Sequence, residues 1–227
     1  MISIKALPIM LLTLVATPQD ATYTLKQKPV AGHESILKLK MNLESSDLNL
    51  DMKSESLYKI TKVEDDGSFE METTVLEGTV TLNGEENVIP KGEPEKSKYD
   101  KDGNEIKKEG EEQDEDPISE MINVLAEFEP KKAVKIGDTW ELKSKYGTLT
   151  GKLEGKETYE KIDCLKITVS GKFTEKGAGG TVEGTILLNS KDFDLEKLKF
   201  TVENAKLSEE MPEAKFKFEL ERKRPTS

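Results

Sequence analysis

The chain is poor in the residues that support redox, metal and nucleophile chemistry. Its 227 residues include one cysteine, Cys164, and one histidine, His33. A single cysteine excludes an intramolecular disulfide, so core packing must hold the folded chain together, and we predict a buried thiol. His33 lies in a turn before the first strand, where we expect a surface residue, and no second histidine completes a zinc-protease motif. The sequence therefore predicts no catalytic residue, no metal site and no cofactor.

Aromatic residues and positive charge are also scarce. Aromatics make up 6% of the chain with a single Trp, which argues against a stacking platform for sugars or bases. The net charge of −11 argues against nucleic acid and anionic membrane surfaces, because both reward clusters of lysine and arginine. No serine lies in the Gly-x-Ser-x-Gly motif of the common hydrolases. These features favour a protein that is not an enzyme and binds no nucleic acid.

The one strongly apolar run covers residues 6–16 and follows a lone Lys5. It is shorter than the ~20 residues that span a bilayer, and its charge-then-apolar order is typical of an export signal. We expect residues 1–21 to be a signal peptide that is cleaved between Ala16 and Thr22. No cysteine follows the run to carry a lipid anchor, so we predict an exported periplasmic or extracellular protein without stable membrane insertion. The alternative is a buried strand or helix that begins the mature domain.

Alternation of apolar and polar residues dominates the rest of the chain. Residues 37–43, 198–202 and 216–220 alternate strictly, which is the period of a strand with one buried face. Residues 64–68 contain Asp66-Gly67, a dipeptide that favours a tight hairpin turn. The pattern predicts a single antiparallel β domain over residues 22–227, with about 9–11 strands.

Two segments interrupt this pattern. Residues 83–116 contain thirteen acids against six lysines, a net charge of −7, and we predict a mobile acidic insertion. Residues 117–128 are predicted to form one short α-helix, capped by Asp116 and opened by Pro117. Its apolar residues at helical spacing are Ile118, Met121, Ile122 and Leu125.

One helix cannot cover the apolar face of such a sheet. Twelve residues make a helix about 18 Å long, so the sheet must curve on itself. The possible outcomes are a filled barrel, a two-sheet sandwich, or a half-open barrel that holds an apolar ligand. Methionines adapt to varied apolar shapes, so they suit a ligand-lining surface, although they also fill gaps in ordinary cores. The residues predicted to line a ligand are Met41, Met52, Met71, Met121, Leu125 and Leu165.

Residues 135–140 (Lys-Ile-Gly-Asp-Thr-Trp) form the most specific motif, through the corner Gly137-Asp138-Thr139-Trp140. Together with the export signal, the long sheet and the inserted helix, this corner resembles uncharacterised bacterial cell-envelope proteins. Some of these are similar in layout to the LolA/LolB-type lipoprotein carriers. The resemblance implies an unclosed barrel that holds acyl chains. It transfers no ligand-contacting residue, and the missing anchor cysteine departs from the anchored members.

Two functions are compatible with these observations. The first is a non-enzymatic exported binding protein that holds a lipid or another apolar small molecule in a concave sheet. The second is a structural or assembly module of the cell envelope, which contacts a partner protein through the acidic residues 83–116.

Overall fold

The computed structural model describes residues 21–26, 28–101, 103, 105–106, 128–144, 147–174, 179–206 and 212–223. Within these ranges the chain forms thirteen β-strands and no helix, which confirms the prediction of a mainly β fold. The helix predicted at 117–128 is unconfirmed, because all of it except Phe128 lies outside the described residues. The strands are β1 (Thr22–Tyr23), β2 (Glu34–Glu44), β3 (Asn49–Val63), β4 (Phe69–Leu82), β5 (Glu85–Ile89), β6 (Glu95–Tyr99), β7 (Val134–Lys135), β8 (Thr139–Ser144), β9 (Gly147–Tyr159), β10 (Ile162–Phe173), β11 (Gly179–Asn189), β12 (Leu195–Lys206) and β13 (Ala214–Lys223).

Eleven strands form one antiparallel sheet. Its order is β5-β4-β3-β2-β13-β12-β11-β10-β9-β8, and β6 pairs with β4 along the same edge as β5. Strands β1 and β7 form a separate two-stranded sheet. The strand number agrees with the predicted 9–11. Within the described part of the chain, β5 and β8 are the two ends of the sheet, so the sheet does not close into a barrel.

The sheet consists of two successive meanders that meet along β2 and β13. Strand β13 pairs with β2 from Lys215 opposite Glu44 to Lys223 opposite Ile36. All the other neighbours in the sheet are close in sequence. We call β8–β13 the packed half and β3–β6 the wing, with β2 between them.

The core lies on one face of the packed half. Side chains at alternate positions of β10, β11 and β12 are fully buried there, among them Ile167, Ile186 and Phe200. Leu25 and Phe128, from outside the large sheet, belong to the same cluster. Because burying one such side chain contributes about 1.5–3 kcal/mol, this face supplies most of the driving force for folding.

One glycine of the core allows a close aromatic contact. Gly184 of β11 lies opposite Phe200 of β12, and a Cβ atom at Gly184 would be 2.0 Å from Phe200 Cδ1. The ring therefore lies directly over the glycine backbone. Any larger residue at position 184 would displace it.

The predicted Asp-Gly turn is confirmed between β3 and β4. Gly67 has a φ of 87°, and the Glu64 amide donates a hydrogen bond to the Ser68 carbonyl at 2.8 Å. The Asp66 carboxylate accepts a second bond from the Ser68 amide at 2.9 Å. The acidic residues 83–116 contain β5 and β6, both paired with β4.

The corner at residues 135–140 anchors the chain that enters the packed half. The Asp138 carboxylate accepts a 2.8 Å hydrogen bond from the Lys135 amide, which closes the turn between β7 and β8. Trp140 Nε1 donates a 2.9 Å bond to the Phe128 carbonyl. Both bonds fix residues 128–138 relative to the start of β8.

Candidate functional site

The apolar face of the packed half continues onto the wing, where its exposure changes. Phe216 of β13 is 0% exposed and pairs with Leu43 of β2, which is 1% exposed. In the next row of cross-strand partners on this face, Met41 of β2 pairs with Met52 of β3, and Met52 pairs with Val80 of β4. These three side chains are only partly buried. One continuous apolar face is therefore covered over the packed half and incompletely covered over the wing.

We define the wing face as the partly buried apolar side chains on this side of β2, β3 and β4. Its inner members, Leu39, Met41 and Leu50, pack against the core cluster, whereas the outer members do not belong to it. The wing face therefore starts at the core and extends away from it. Its residues are Leu37, Leu39, Met41, Leu50, Met52, Tyr58, Phe69, Met71, Val75 and Val80.

Small residues occupy the middle of the wing face. Ser54 and Ser56 of β3 lie between Met52 and Tyr58, and Ser54 is paired with Gly78 of β4. Larger side chains thus flank a strip of small ones. Ile89 of β5 reaches the Gly78 end of the strip, since its Cδ1 atom would lie 3.2 Å from a Cβ atom at Gly78.

Aromatic residues form the outer end of the wing face. The rings of Phe69 and Tyr99 stack with centroids 5.1 Å apart and an interplanar angle of 14°. Burial raises the pKa of Tyr58, and burial with the nearby Glu105 carboxylate raises the pKa of Tyr99. Both phenols are partly buried at this end of the face.

The structure places the residues predicted to line a ligand in different regions. Met41, Met52 and Met71 share the wing face, as alternation requires. Leu165 is 0% exposed within the core of the packed half. Met121 and Leu125 lie outside the described residues. The assignment of all six residues as ligand-lining stays a prediction.

Sequence reasoning did not single out Tyr58, Val75 or Val80 as part of this surface. Alternation along β3 from Met52 contained the signal for Tyr58, and alternation along β4 from Met71 contained the signal for Val75. Val80 is an odd number of residues from Met71 and shares its face only because of a bulge. A register shift between Glu55 and Ser56 changes which β4 residues share a face, so Val75 and Gly78 lie on the same side although they are an odd number of residues apart.

A network of buried charges lies at the end of the same face. Arg222 Nη1 is 2.6 Å from Asp194 Oδ2 and 3.9 Å from Glu196 Oε1, and these carboxylates are 6% and 1% exposed. His33 Nε2 is 2.9 Å from Arg222 Nη2 and 3.3 Å from Asp194 Oδ2. The turn predicted for His33 is present, but its side chain is held in this network. Opposite charges compensate each other in this network, so we interpret its role as structural.

The described residues offer little else for chemistry. They contain no group of three or more histidine, cysteine or acidic side chains able to hold a metal ion. Cys164 is 0% exposed, as predicted for a buried thiol. No helix in the described ranges has the length and apolarity needed to cross a membrane.

Comparisons with known proteins identify no family. No protein-family model matches the chain, and no curated protein sequence matches it significantly. Among six similar solved chains is one from a study of lipid–protein interactions in lipovitellin, with a TM-score of 0.46 and 9% identity. That alignment covers 87% of this chain and 26% of lipovitellin, so this chain spans about a quarter of that protein. A DUF1329-family protein from Desulfovibrio piger is similar with a TM-score of 0.19 and 12% identity, covering 86% of this chain and 88% of the other.

Proposed function

We propose that this protein is a non-enzymatic binding protein that holds a lipid or another apolar ligand against the wing face. One observation carries the proposal: the apolar face that is buried across β8–β13 continues across β2–β4 without full cover. Covering partly hydrated apolar surface lowers the free energy by about 2.5 kcal/mol for each 100 Å². The proposal includes no catalytic step.

The residue types of the wing face suit a flexible apolar chain. Met41, Met52 and Met71 have unbranched, polarizable side chains that can adapt to different ligand shapes. The strip of Ser54, Ser56 and Gly78 provides a shallow track between larger side chains. We therefore propose an aliphatic chain, such as an acyl group, as the preferred ligand class.

The proposed site of action is outside the cytoplasm. The motivation is the charge-then-apolar order of residues 1–16, which is typical of export signals. N-terminal sequencing of the protein recovered from its native host tests this part. A mature chain that begins between residues 17 and 22 would support it, and an intact Met1 would contradict it.

The binding proposal is tested with a double variant of the wing face. Met52→Gln with Val80→Thr makes two neighbouring side chains polar while nearly keeping their volume. The probe is an uncharged, fluorescent methyl ester of a long-chain fatty acid, and we expect its displacement to show affinity about tenfold weaker than that of the unchanged protein, which corresponds to about 1.4 kcal/mol. Native mass spectrometry of the purified protein should detect the bound ester directly.

The matched control is Val30→Thr, the same chemical change between β1 and β2, where Val30 is 60% exposed. This variant should bind the ester as the unchanged protein does. The absence of any bound species, or equal losses in the control and the double variant, would contradict a ligand on the wing face.

A further inference from the structure

A separate cleft lies on the polar face of the sheet, where β2, β3, β4 and β5 lie side by side. Its volume is about 410 Å³, within the range of about 300–1,000 Å³ typical of small-molecule sites. Successive side chains of a strand point to opposite faces, so the cleft lies behind the wing face. Its principal side chains are Lys38, Lys40, Lys53, Glu55, Glu77 and Val88.

On one side of the cleft, acids and lysines balance each other. Glu55 accepts a hydrogen bond from Lys223 and lies 3.8 Å from Lys38. The charge of Glu77 also acts on Lys223, whose pKa is raised, chiefly by the hydrogen bond to Glu55. These two carboxylates therefore face two ammonium groups, and this part of the cleft leaves no excess charge.

The other side of the cleft carries an excess of positive charge. Lys40 of β2 and Lys53 of β3 are directly opposite each other in the strand register. Like charges in such a pair destabilise a sheet. Among the described residues, no carboxylate oxygen lies within 4 Å of the Lys40 ammonium group. The charge of Lys40 still acts on Glu219, the acid opposite it on β13, but Glu219 is 2.8 Å from Lys197. Within that same part of the chain, the carboxylate paired with Lys53 is that of Asp51, at 3.5 Å and with both side chains largely exposed.

The row that contains this lysine pair continues to an exposed apolar side chain. Lys40, Lys53, Thr79 and Val88 are successive cross-strand partners on β2, β3, β4 and β5. Two inter-strand spacings, about 10 Å, separate Lys53 from Val88. Val88 is 75% exposed, which is unusual for a valine. One row therefore offers two cations at one end and an apolar contact at the other.

We propose that this cleft binds an organic anion whose phosphate or carboxylate group contacts Lys40 and Lys53. The aliphatic part of the ligand lies across Thr79 toward Val88. The anion relieves the repulsion between the two ammonium groups, and Glu55 and Glu77 exclude a second anion from the neighbouring row. This site lies on the face opposite the wing face and is independent of the function proposed above.

Octyl phosphate is the probe, and binding is followed by calorimetry and by amide chemical shifts of Lys53 and Val88. We expect Lys40→Gln with Lys53→Gln to weaken its affinity at least tenfold. The matched control, Lys199→Gln, removes one exposed lysine from the same polar face outside the cleft and should change the affinity less than twofold. Affinity should also fall as salt rises, because exposed charges are screened.

Other probes distinguish an amphiphilic anion from free phosphate and test whether the cleft prefers a negative charge. Tighter binding of octyl phosphate than of inorganic phosphate supports an amphiphile, whereas equal binding supports the same site with free phosphate as its ligand. Equal binding of octyltrimethylammonium would overturn the proposal, as would unchanged shifts at Lys53 and Val88 with every anion. Val88→Asp places a carboxylate on the row at an exposed position and should weaken the affinity for octyl phosphate without unfolding the protein.

The two binding proposals can fail separately. Met52→Gln with Val80→Thr should leave octyl phosphate affinity unchanged, and the double lysine variant should leave displacement of the uncharged fatty acid ester unchanged. Loss of octyl phosphate binding in the wing-face variant would overturn the cleft as a separate site.

Discussion

At the residue scale, Arg222 is a cation that pairs with two buried carboxylates. Its guanidinium lies between Asp194 and Glu196, whose side chains have almost no contact with water. Removing one partner of a buried ion pair leaves an uncompensated charge in a poorly polarizable environment. Arg222 also contacts His33, so the same side chain attaches the turn before β2 to the start of β12.

Arg222→Met should therefore be one of the most destabilising single changes on the surface of the sheet. We expect a loss of about 3–5 kcal/mol, measured by urea unfolding. The control is Lys217→Met, which removes a cation of the same strand that lies 3.9 Å from Glu44 at an exposed position. The control should cost less than about 1 kcal/mol. Equal losses would show that the buried carboxylates do not need Arg222.

Tyr159 provides a pH-dependent contribution on the polar face. It donates a hydrogen bond to the Glu221 carboxylate, and burial together with this bond raises its pKa to about 12. The unfolded chain has a tyrosine pKa of about 10. The folded state therefore favours the protonated phenol, and this stabilisation is complete below about pH 10 and is lost as the pH rises toward 12.

Tyr159→Phe removes both the bond and its titration. At pH 8 we expect the variant to be about 1 kcal/mol less stable than the unchanged protein, because a hydrogen bond to a carboxylate is lost. Urea unfolding at pH 8, 10 and 11.5 should show this difference shrinking above pH 10. A difference that stays constant up to pH 11.5 would contradict a raised pKa.

At the scale of strands, alternation predicts most elements but not all of their pairings. Residues 37–43, 198–202 and 216–220 lie in strands as expected. The apolar positions of 198–202 are buried, whereas in residues 37–43 only Leu43 is buried. Strands β5 and β6 were not predicted, because charged residues outnumber apolar ones there and no face stands out. The sequence pattern also did not predict the pairing of β13 with β2, because alternation indicates which face is buried but not which strands are neighbours.

Gly184→Ala tests how tightly β11 and β12 pack. The added methyl group would overlap the ring of Phe200, and overpacking of this kind costs about 1–3 kcal/mol. Gly92→Ala is the control, because a Cβ there would lie 3.7 Å from its nearest neighbour, an ordinary contact. The control should stay within about 0.5 kcal/mol of the unchanged protein in thermal or urea unfolding. Tolerance of alanine at position 184 would show that the Phe200 ring can move freely.

At the scale of the whole molecule, the sheet has two halves with the same alternation and different environments. The sequence predicts more apolar strand surface than one short helix can cover, and the described wing face is only partly buried. It does not indicate which half is covered, because Leu165 and Met52 occupy equivalent positions in similar strands. The difference arises from tertiary packing, in which Leu25 and Phe128 join the core over the packed half. The sequence could therefore predict which residue types line the candidate site and on which face of a strand they lie. It could not predict which part of the sheet carries the site.

The pairing of β13 with β2 also has a consequence for the order of folding. Each meander can form its own hairpins from nearby residues, but the seam between them joins segments near residues 40 and 220. Contacts so distant in sequence form slowly, and during synthesis β13 emerges long after β2. Until then β2 has an unpaired edge and its apolar face lacks the neighbour that buries Leu43. The newly made chain therefore needs protection from aggregation until β13 is available.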